Sequence, residues 1–309
     1  MDRDKICCGD SLEILKGLPD GCVRCCVTSP PYFAVRDYGV EGQIGLEGTV
    51  DAYLERLVAV FREVRRVLTK DGSLWANIAD TYSSGAMTGA KGPNSSTGHN
   101  KAQHEIAVPI VRKPPPGFKR KELLMVPARL AMALSADGWY LRQDLIWHKP
   151  NVFPESVKDR CTRSHEYIFL LTKSERYFYN SDAIKEDAVR GHAGSDFRKG
   201  KTAIHQMNRM SLYERVDDGK RNKRSVWSIN TQPLKTAHFA TFPEKLVEPC
   251  ILAGSQSGDL ILDPFMGAGT VALVAKKLGR DYIGVELNPG YIEIANQRLA
   301  NFLPATYSK

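Results

Sequence analysis

Leu260-Ile261-Leu262-Asp263-Pro264-Phe265-Met266-Gly267-Ala268-Gly269-Thr270 sets an apolar run against a glycine turn, and a second apolar run of helical spacing follows. A strand that enters a glycine turn and leaves it as a helix is the opening of a nucleotide-binding βαβ unit. Glycines at such a turn let the backbone approach a ligand closely. The next apolar run, Tyr282 to Val285, ends on Glu286, an acid placed to suit a ribose diol. Two cofactor chemistries stay open at this point, because Gly267-x-Gly269-x-x-Ala272 also satisfies a dinucleotide fingerprint. Asp263 and Glu286 have a plainer reading too, as caps at strand ends.

A second stretch lies near the other end of the chain. Thr28-Ser29-Pro30-Pro31-Tyr32-Phe33 follows the apolar run Val23 to Val27. Consecutive prolines fix φ and remove two backbone donors, and each restricts the residue before it to an extended conformation. A strand ending this way enters a stiff loop that presents bare acceptors and one aromatic face. Such a loop suits a planar ring whose exocyclic NH₂ is gripped by acceptors while the ring stacks on Tyr32. Taken alone, the same residues read as a rigid turn.

The two stretches in this order resemble the exocyclic-amino DNA methyltransferases, which use S-adenosylmethionine (AdoMet), in their permuted β-type with the catalytic loop first. Further segments resemble the family: Gly9-Asp10-Ser11, Trp147-His148-Lys149-Pro150, Arg163-Ser164-His165-Glu166, Lys173 to Tyr177, and His238-Phe239-Ala240-Thr241-Phe242-Pro243. The resemblance implies a Rossmann-like α/β fold with a seven-stranded, mostly parallel sheet and an inserted basic target-recognition region. It implies that Ser29, Pro30, Pro31 and Tyr32 are catalytic, with Tyr32 and Phe33 stacking on a flipped-out base. Asp263, Pro264, Phe265, Gly267, Gly269 and Thr270 would hold AdoMet. Glu286 would take its ribose, Asp10 its adenine amino group, and Thr241, Phe242 and Pro243 would flank its methionine end.

Composition allows this reading without deciding it. The chain has 309 residues, 42% hydrophobic and 25% charged, and Lys plus Arg exceed Asp plus Glu by 43 to 35 with pI about 9.0. A basic surplus favours a polyanionic partner such as double-stranded DNA. No apolar run approaches membrane-spanning length and Met1-Asp2-Arg3-Asp4-Lys5 is no signal peptide, so the expected location is cytoplasmic, in a bacterium or phage and near the nucleoid. Of seven cysteines, Cys22-x-x-Cys25 invites a metal reading. No second pair follows at finger spacing, and cysteines in short apolar strands pack as small hydrophobes; no metal is expected.

Along the chain, Lys5 to Cys8 and Val23 to Val27 read as parallel strands around a short helix at Leu12 to Leu15. Leu54, Leu57, Val58, Phe61, Val64, Val67 and Leu68 keep helical spacing over Asp51 to Leu68, ended by Lys70-Asp71-Gly72. Ser73 to Ile78 and Tyr140 to Trp147 read as strands, and Leu123 to Leu134 as a helix. Tyr167 to Leu171 with Tyr177 to Tyr179 reads as a hairpin or a bent strand. Helices are expected near Glu244 to Ala253, Val271 to Leu278 and Pro289 to Leu299.

The resulting division is 1–82 and 123–184 as methyltransferase domain, 83–122 as a basic loop, 185–235 as the target-recognition region and 236–309 as the AdoMet-binding part. Ser83 to Lys121 carries seven Lys or Arg and one acid, which reads either as a tolerated mobile loop or as a DNA-contacting one. Lys185 to Lys235 carries twelve basic and six acidic residues. Arg190, Arg198, Lys199, Lys201, Arg209, Arg221, Lys223 and Arg224 are its candidate DNA contacts, although Arg221 to Arg224 also reads as a solvated charge run.

The chemistry expected is transfer of the AdoMet methyl group to cytosine N4 or adenine N6 in duplex DNA. Ser before Pro-Pro-Tyr is more typical of the cytosine enzymes, so cytosine N4 is preferred and adenine N6 is the alternative. A cytosine carbon-5 enzyme needs a Pro-Cys nucleophile, and Pro249-Cys250 lies in a predicted apolar helix. Rivals are an RNA or protein methyltransferase of related fold, a DNA-binding module with a vestigial cofactor site, and a dehydrogenase. A homodimer and a separately encoded restriction endonuclease are the other expected partners.

Overall fold

A computed structural model describes residues 2–83, 114–152, 154–188, 219–233 and 240–302. Within them the strands are β1 (Lys5–Cys8), β2 (Val23–Thr28), β3 (Leu68–Ile78), β4 (Tyr140–His148), β5 (His165–Thr172), β6 (Glu186–Asp187), β7 (Lys220–Arg221), β8 (Val226–Ser228), β9 (Gln232–Pro233), β10 (Ala240–Thr241), β11 (Leu260–Asp263) and β12 (Asp281–Glu286). The helices are α1 (Ser11–Lys16), α2 (Val50–Val67), α3 (Val126–Ala136), α4 (Glu244–Gly254), α5 (Thr270–Lys277) and α6 (Pro289–Ala300).

One sheet has the order β1-β12-β11-β2-β3-β5-β4-β8. It is parallel from β1 to β3, β5 is antiparallel to both its neighbours, and β8 is parallel to β4. The mostly parallel α/β architecture is as expected. The strand count is eight rather than seven, because Val226–Ser228 pairs beside Ile146–His148 and extends the sheet.

Strand residues alternate between two cores, as a period of two requires when both faces are covered. On β2, Cys26 joins the core built on α1, α2 and α3, as does Val23 across an irregularity of register between Val23 and Cys25. Cys25 and Val27 join the one built on α4 and α5. The same alternation puts Leu74 and Ala76 of β3 on one side and Trp75 on the other. Helix α2 buries Tyr53, Leu57, Val60, Phe61, Val64 and Val67 along one stripe, and the Thr49 side chain caps it by accepting from the Ala52 N–H.

Three local expectations need correction. Helix α2 stops at Val67, and β3 starts at once at Leu68 and runs through Gly72, since Leu68 pairs with Val23 in the sheet. Helix α3 starts at Val126, with Pro127 in its first turn, and not at Leu123. Tyr177–Tyr179 is no strand: Phe178 makes a single backbone bond to Asp71 and Asn180 one to Ala253, while the hairpin partner of β5 is β4. Among the described residues no helix is long and apolar enough to cross a membrane.

Gly284 on β12 leaves room for Met266, which lies against it and holds the turn after β11. A Cβ at Gly284 would stand 2.8 Å from Met266 Cγ and 3.1 Å from its Cβ. Gly284→Ala is expected to lower the unfolding free energy by about 1–3 kcal/mol through overpacking, read by urea denaturation. Shortening Met266 to Ala in the same chain should remove part of that overpacking. An unchanged midpoint for the single variant would contradict this account.

Candidate active site

The strands β1, β12, β11, β2, β3 and β4 all end along one edge of the sheet, where open α/β sheets hold ligands. Strand β5 runs the other way, so its first residues reach the same edge: Glu166 lies opposite Trp147 and Tyr167 opposite Ile78. A cavity of about 440 Å³ opens there, within the range that holds a cofactor-sized ligand.

Two of its walls come from neighbouring strands, β2 and β11, paired at Ile261 with Cys25 and Leu262 with Cys26. The loop after β2 brings Ser29, Pro30, Pro31 and Tyr32; the turn after β11 brings Pro264, Phe265 and Gly267. A hydrogen bond ties the two loops at their roots. The Thr28 hydroxyl donates to Asp263 Oδ1 at 2.6 Å, and both residues are fully buried. The Phe265 N–H donates to the same oxygen at 3.0 Å. Asp263 Oδ2 has no partner among the described residues. Burial pushes the Asp263 carboxyl up to about 7, against the two donors, which hold it down.

The loop from Ser29 to Tyr32 is held from below. The Tyr53 hydroxyl of α2 donates to the Pro31 carbonyl at 2.8 Å, so that acceptor is already used. Among the described residues no donor reaches the Pro30 carbonyl, and Pro30 lines the cavity. The Tyr32 hydroxyl donates to Glu166 Oε2 at 2.7 Å and lies 3.2 Å from Asn77 Oδ1, and Ser29 Oγ donates to Tyr32 at 3.2 Å. Burial, and then the Glu166 charge, raise the Tyr32 hydroxyl well above its ordinary value. Glu166 also pairs with Lys149, whose ammonium lies 4.3 Å from the Trp147 ring centre.

On the other wall, Glu286 accepts from the Gly267 N–H and the Asn288 N–H, each at 2.8 Å and each on a different oxygen. Burial raises its carboxyl while the backbone N–H groups of Asn288, Gly267 and Leu287 hold it down. Each oxygen keeps a lone pair for a diol. Gly267 has φ +52°, and a Cβ there would find nothing nearer than the Phe265 carbonyl at 4.0 Å. Open space beside a carboxylate with spare acceptors fits a nucleoside ribose, so the residues present suit AdoMet.

Of the residues picked out above, Asp10, Ser29, Pro30, Pro31, Tyr32, Phe242, Pro264, Phe265, Gly267, Thr270 and Glu286 line this one cavity. Asp10 also caps α1, accepting from the Glu13 N–H at 3.1 Å. Others do not reach it. Phe33 is buried against Tyr53, ring centres 5.4 Å apart, so it is not available to stack on a base. Gly269 faces helix α6: a Cβ there would stand 2.8 Å from Ala295 Cβ, so this glycine serves helix packing and not ligand approach. Asp263 and Pro243 are buried behind the wall. Thr241 is placed on β10, paired with Gln232.

Arg221 and Arg224 both donate to Glu186 Oε1, at 2.9 and 2.6 Å, and the Lys223 ammonium lies 5.2 Å from the Trp227 ring centre. Arg190, Arg198, Lys199, Lys201 and Arg209 lie outside the described residues, as does most of the basic loop from Ser83 to Lys121. Lining residues that sequence reasoning gave no role include Tyr38, Asn77, Lys149, Glu166, Asn288 and Tyr291. Glu166 carried a legible signal, an acid at the head of the apolar run Tyr167-Ile168-Phe169-Leu170-Leu171. Tyr38 and Tyr291, which meet edge to face at 6.2 Å, carried none.

The model of the DNA methylase family N6_N4_Mtase matches residues 23–297. The chain is 48% identical to the Type II methyltransferase M.Cfr9I of Citrobacter freundii over 94% of its length and 86% of that protein. It is 45% identical to M.SmaI of Serratia marcescens, over 96% of its length and 90% of that protein. Its fold matches the PvuII cytosine-N4-specific DNA methyltransferase with a TM-score of 0.65 at 19% identity, over 100% of this chain and 89% of the other. It also matches a Thermus thermophilus protein solved with S-adenosyl-L-methionine, TM-score 0.59 at 24% identity, over 97% and 95% of the two chains. The chain belongs to the N6/N4 DNA methylase family, and is an AdoMet-dependent DNA methyltransferase.

The buried Asp263 carboxyl supplies a pH test. A carboxyl that binds its proton more tightly folded than unfolded adds stability below its ordinary value of 3.8, and that gain is lost as pH rises to about 7. The stability of the wild type relative to Asp263→Asn is therefore expected to fall across that window and then level off. Urea titrations of both proteins at several pH values check it; a pH-independent difference would count against a buried, titrating Asp263.

Proposed function

We propose that this DNA methyltransferase transfers the methyl group to N4 of a cytosine flipped out of duplex DNA, with Ser29 and Pro30 as the acceptors that grip the amino group. The observation that carries the reading is the Thr28–Asp263 hydrogen bond between adjacent strands. It seats an acceptor loop and a glycine turn on the two sides of one cavity. Bound AdoMet supplies an electrophilic methyl group on a positively charged sulfur.

The exocyclic nitrogen is a poor nucleophile because its lone pair is delocalised into the ring. Ser29 Oγ and the free Pro30 carbonyl each accept one amino hydrogen, which favours a pyramidal nitrogen and returns the lone pair for attack. Positioning and stabilisation of the charge that develops on nitrogen supply most of the rate. The Tyr32 ring flanks the base, its hydroxyl pinned by Glu166. On the cofactor side Glu286 takes the ribose hydroxyls, and Asp10 the adenine amino group. Phe265, Pro264, Gly267 and Thr270 form the wall, and Phe242 flanks the methionine end. Asp263 acts behind that wall, through Thr28. Ser at the head of Pro-Pro-Tyr, as in the family's cytosine enzymes, favours cytosine over adenine.

Arg190, Arg198, Lys199, Lys201, Arg209, Arg221, Lys223 and Arg224 hold DNA in the same proposal. The relatives named as Type II methyltransferases favour a restriction–modification role beside a separately encoded endonuclease, in the bacterial cytoplasm.

The test is incubation of the purified protein with labelled AdoMet and duplex DNA, then nucleoside analysis by mass spectrometry. N4-methylcytosine is expected, with no transfer to RNA. Ser29→Ala should cut the transfer rate by about 100-fold with the Kd for AdoMet unchanged. N6-methyladenine as product would overturn the choice of base, and an unaffected Ser29→Ala enzyme the proposed grip.

A further inference from the structure

Glu166 is an acid at the head of an apolar strand, only 8% exposed, and the grip described above does not touch it. It reaches the cavity because β5 is antiparallel, and both of its oxygens are engaged. Lys149 pairs with Oε1, and the Tyr32 hydroxyl lies 2.7 Å from Oε2. The two charged side chains are 17% and 10% exposed, so neither is loosely solvated.

Hydrogen counting then fixes the direction of a chain of bonds. A carboxylate only accepts, so the hydrogen between Glu166 and Tyr32 belongs to Tyr32. The hydroxyl has one hydrogen and two candidate acceptors, Glu166 at 2.7 Å and Asn77 Oδ1 at 3.2 Å. The charged and nearer acceptor wins, because charge-assisted bonds are shorter and stronger than neutral ones. With that hydrogen spent, the Tyr32 oxygen can only accept, and the nearby donor is Ser29 Oγ at 3.2 Å. The Ser29 hydrogen is thereby drawn toward Tyr32, and its lone pairs are left for the cavity that Ser29 lines.

We infer that Glu166 is a positioning residue: through Tyr32 it holds the Ser29 hydroxyl as a hydrogen-bond acceptor for the amino group of the target base. The inference rests on the amino-nitrogen chemistry proposed above. Without this chain the Ser29 hydroxyl is free to aim its hydrogen at the amino nitrogen, occupying the lone pair that must attack. Lys149 keeps Glu166 paired in a site that would otherwise strand a buried charge.

The test is single-turnover methyl transfer to a duplex that the wild type methylates, with AdoMet saturating. Tyr32→Phe keeps the ring and the Lys149–Glu166 pair but removes the hydroxyl; Glu166→Gln keeps the shape but removes the charge. Each is expected to slow transfer about tenfold to hundredfold while the Kd values for AdoMet and DNA, read by calorimetry, stay unchanged. The double variant should be no slower than either alone, since both break one chain. In a Ser29→Ala background Tyr32→Phe should cost nothing more.

A Tyr32→Phe enzyme at the wild-type rate would overturn the inference. So would effects that multiply in the double variant, or an equal loss from Tyr32→Phe with and without Ser29. If Glu166→Gln does not fold, the Ser29/Tyr32 pair of variants still decides. A wild type that methylates no amino nitrogen sinks the functional proposal, and this inference with it. Failure of the variants against an active wild type sinks the inference alone.

Discussion

Thr28 and Asp263 share one short hydrogen bond between fully buried groups on adjacent strands, and the site is organised about it. One residue beyond Thr28 the chain leaves the sheet as the Ser29-Pro30-Pro31 loop; one residue beyond Asp263 it leaves as the Pro264-to-Gly269 turn. Because β2 and β11 are parallel neighbours in fixed register, the two departures occur side by side and on the same edge. An acid in that position is costly to bury. The Thr28 hydroxyl and the Phe265 N–H offset part of that cost, and the remainder appears as a carboxyl that holds its proton to about pH 7.

Direction of strands does the rest. Seven of the eight described strands of the sheet run toward the cavity edge, so backbone and side chains at their ends converge from several distant parts of the chain. Strand β5, antiparallel to its neighbours, delivers its beginning instead. That inversion places Glu166 beside Tyr32 and opposite Trp147, and lets an acid far from the cofactor turn in sequence share its cavity. The sheet supplies fixed distances; the loops supply acceptors and aromatic faces.

Two of the carboxylates that line the cavity, Glu286 and Glu166, sit in unlike settings. Glu286 meets only backbone N–H groups and keeps spare acceptors for a diol. Glu166 has one oxygen held by an ammonium and the other by a phenol, so its bonds run to side chains of the protein itself. Residues that look alike as sequence thus divide into one held by backbone N–H groups and one held by side chains.

The sequence by itself determined the α/β class, the glycine turn at Gly267, the acceptor loop at Ser29 and the acid at Glu286. Each is a local matter of backbone freedom or of a polar residue closing an apolar run, and local features are legible in order along a chain. The sequence did not determine that Phe33 packs on Tyr53, that Gly269 serves helix α6, or that Tyr53 consumes the Pro31 carbonyl. Those depend on what lies across a core, and nothing in neighbouring residues records it. The eighth strand was hidden for a similar reason: Val226–Ser228 is too short to declare itself and exists because the free edge of β4 pairs with it. The role of Glu166 needed the antiparallel register of β5. A hydrogen-bond chain has a direction only once side chains from distant parts of the sequence are set within reach of one another.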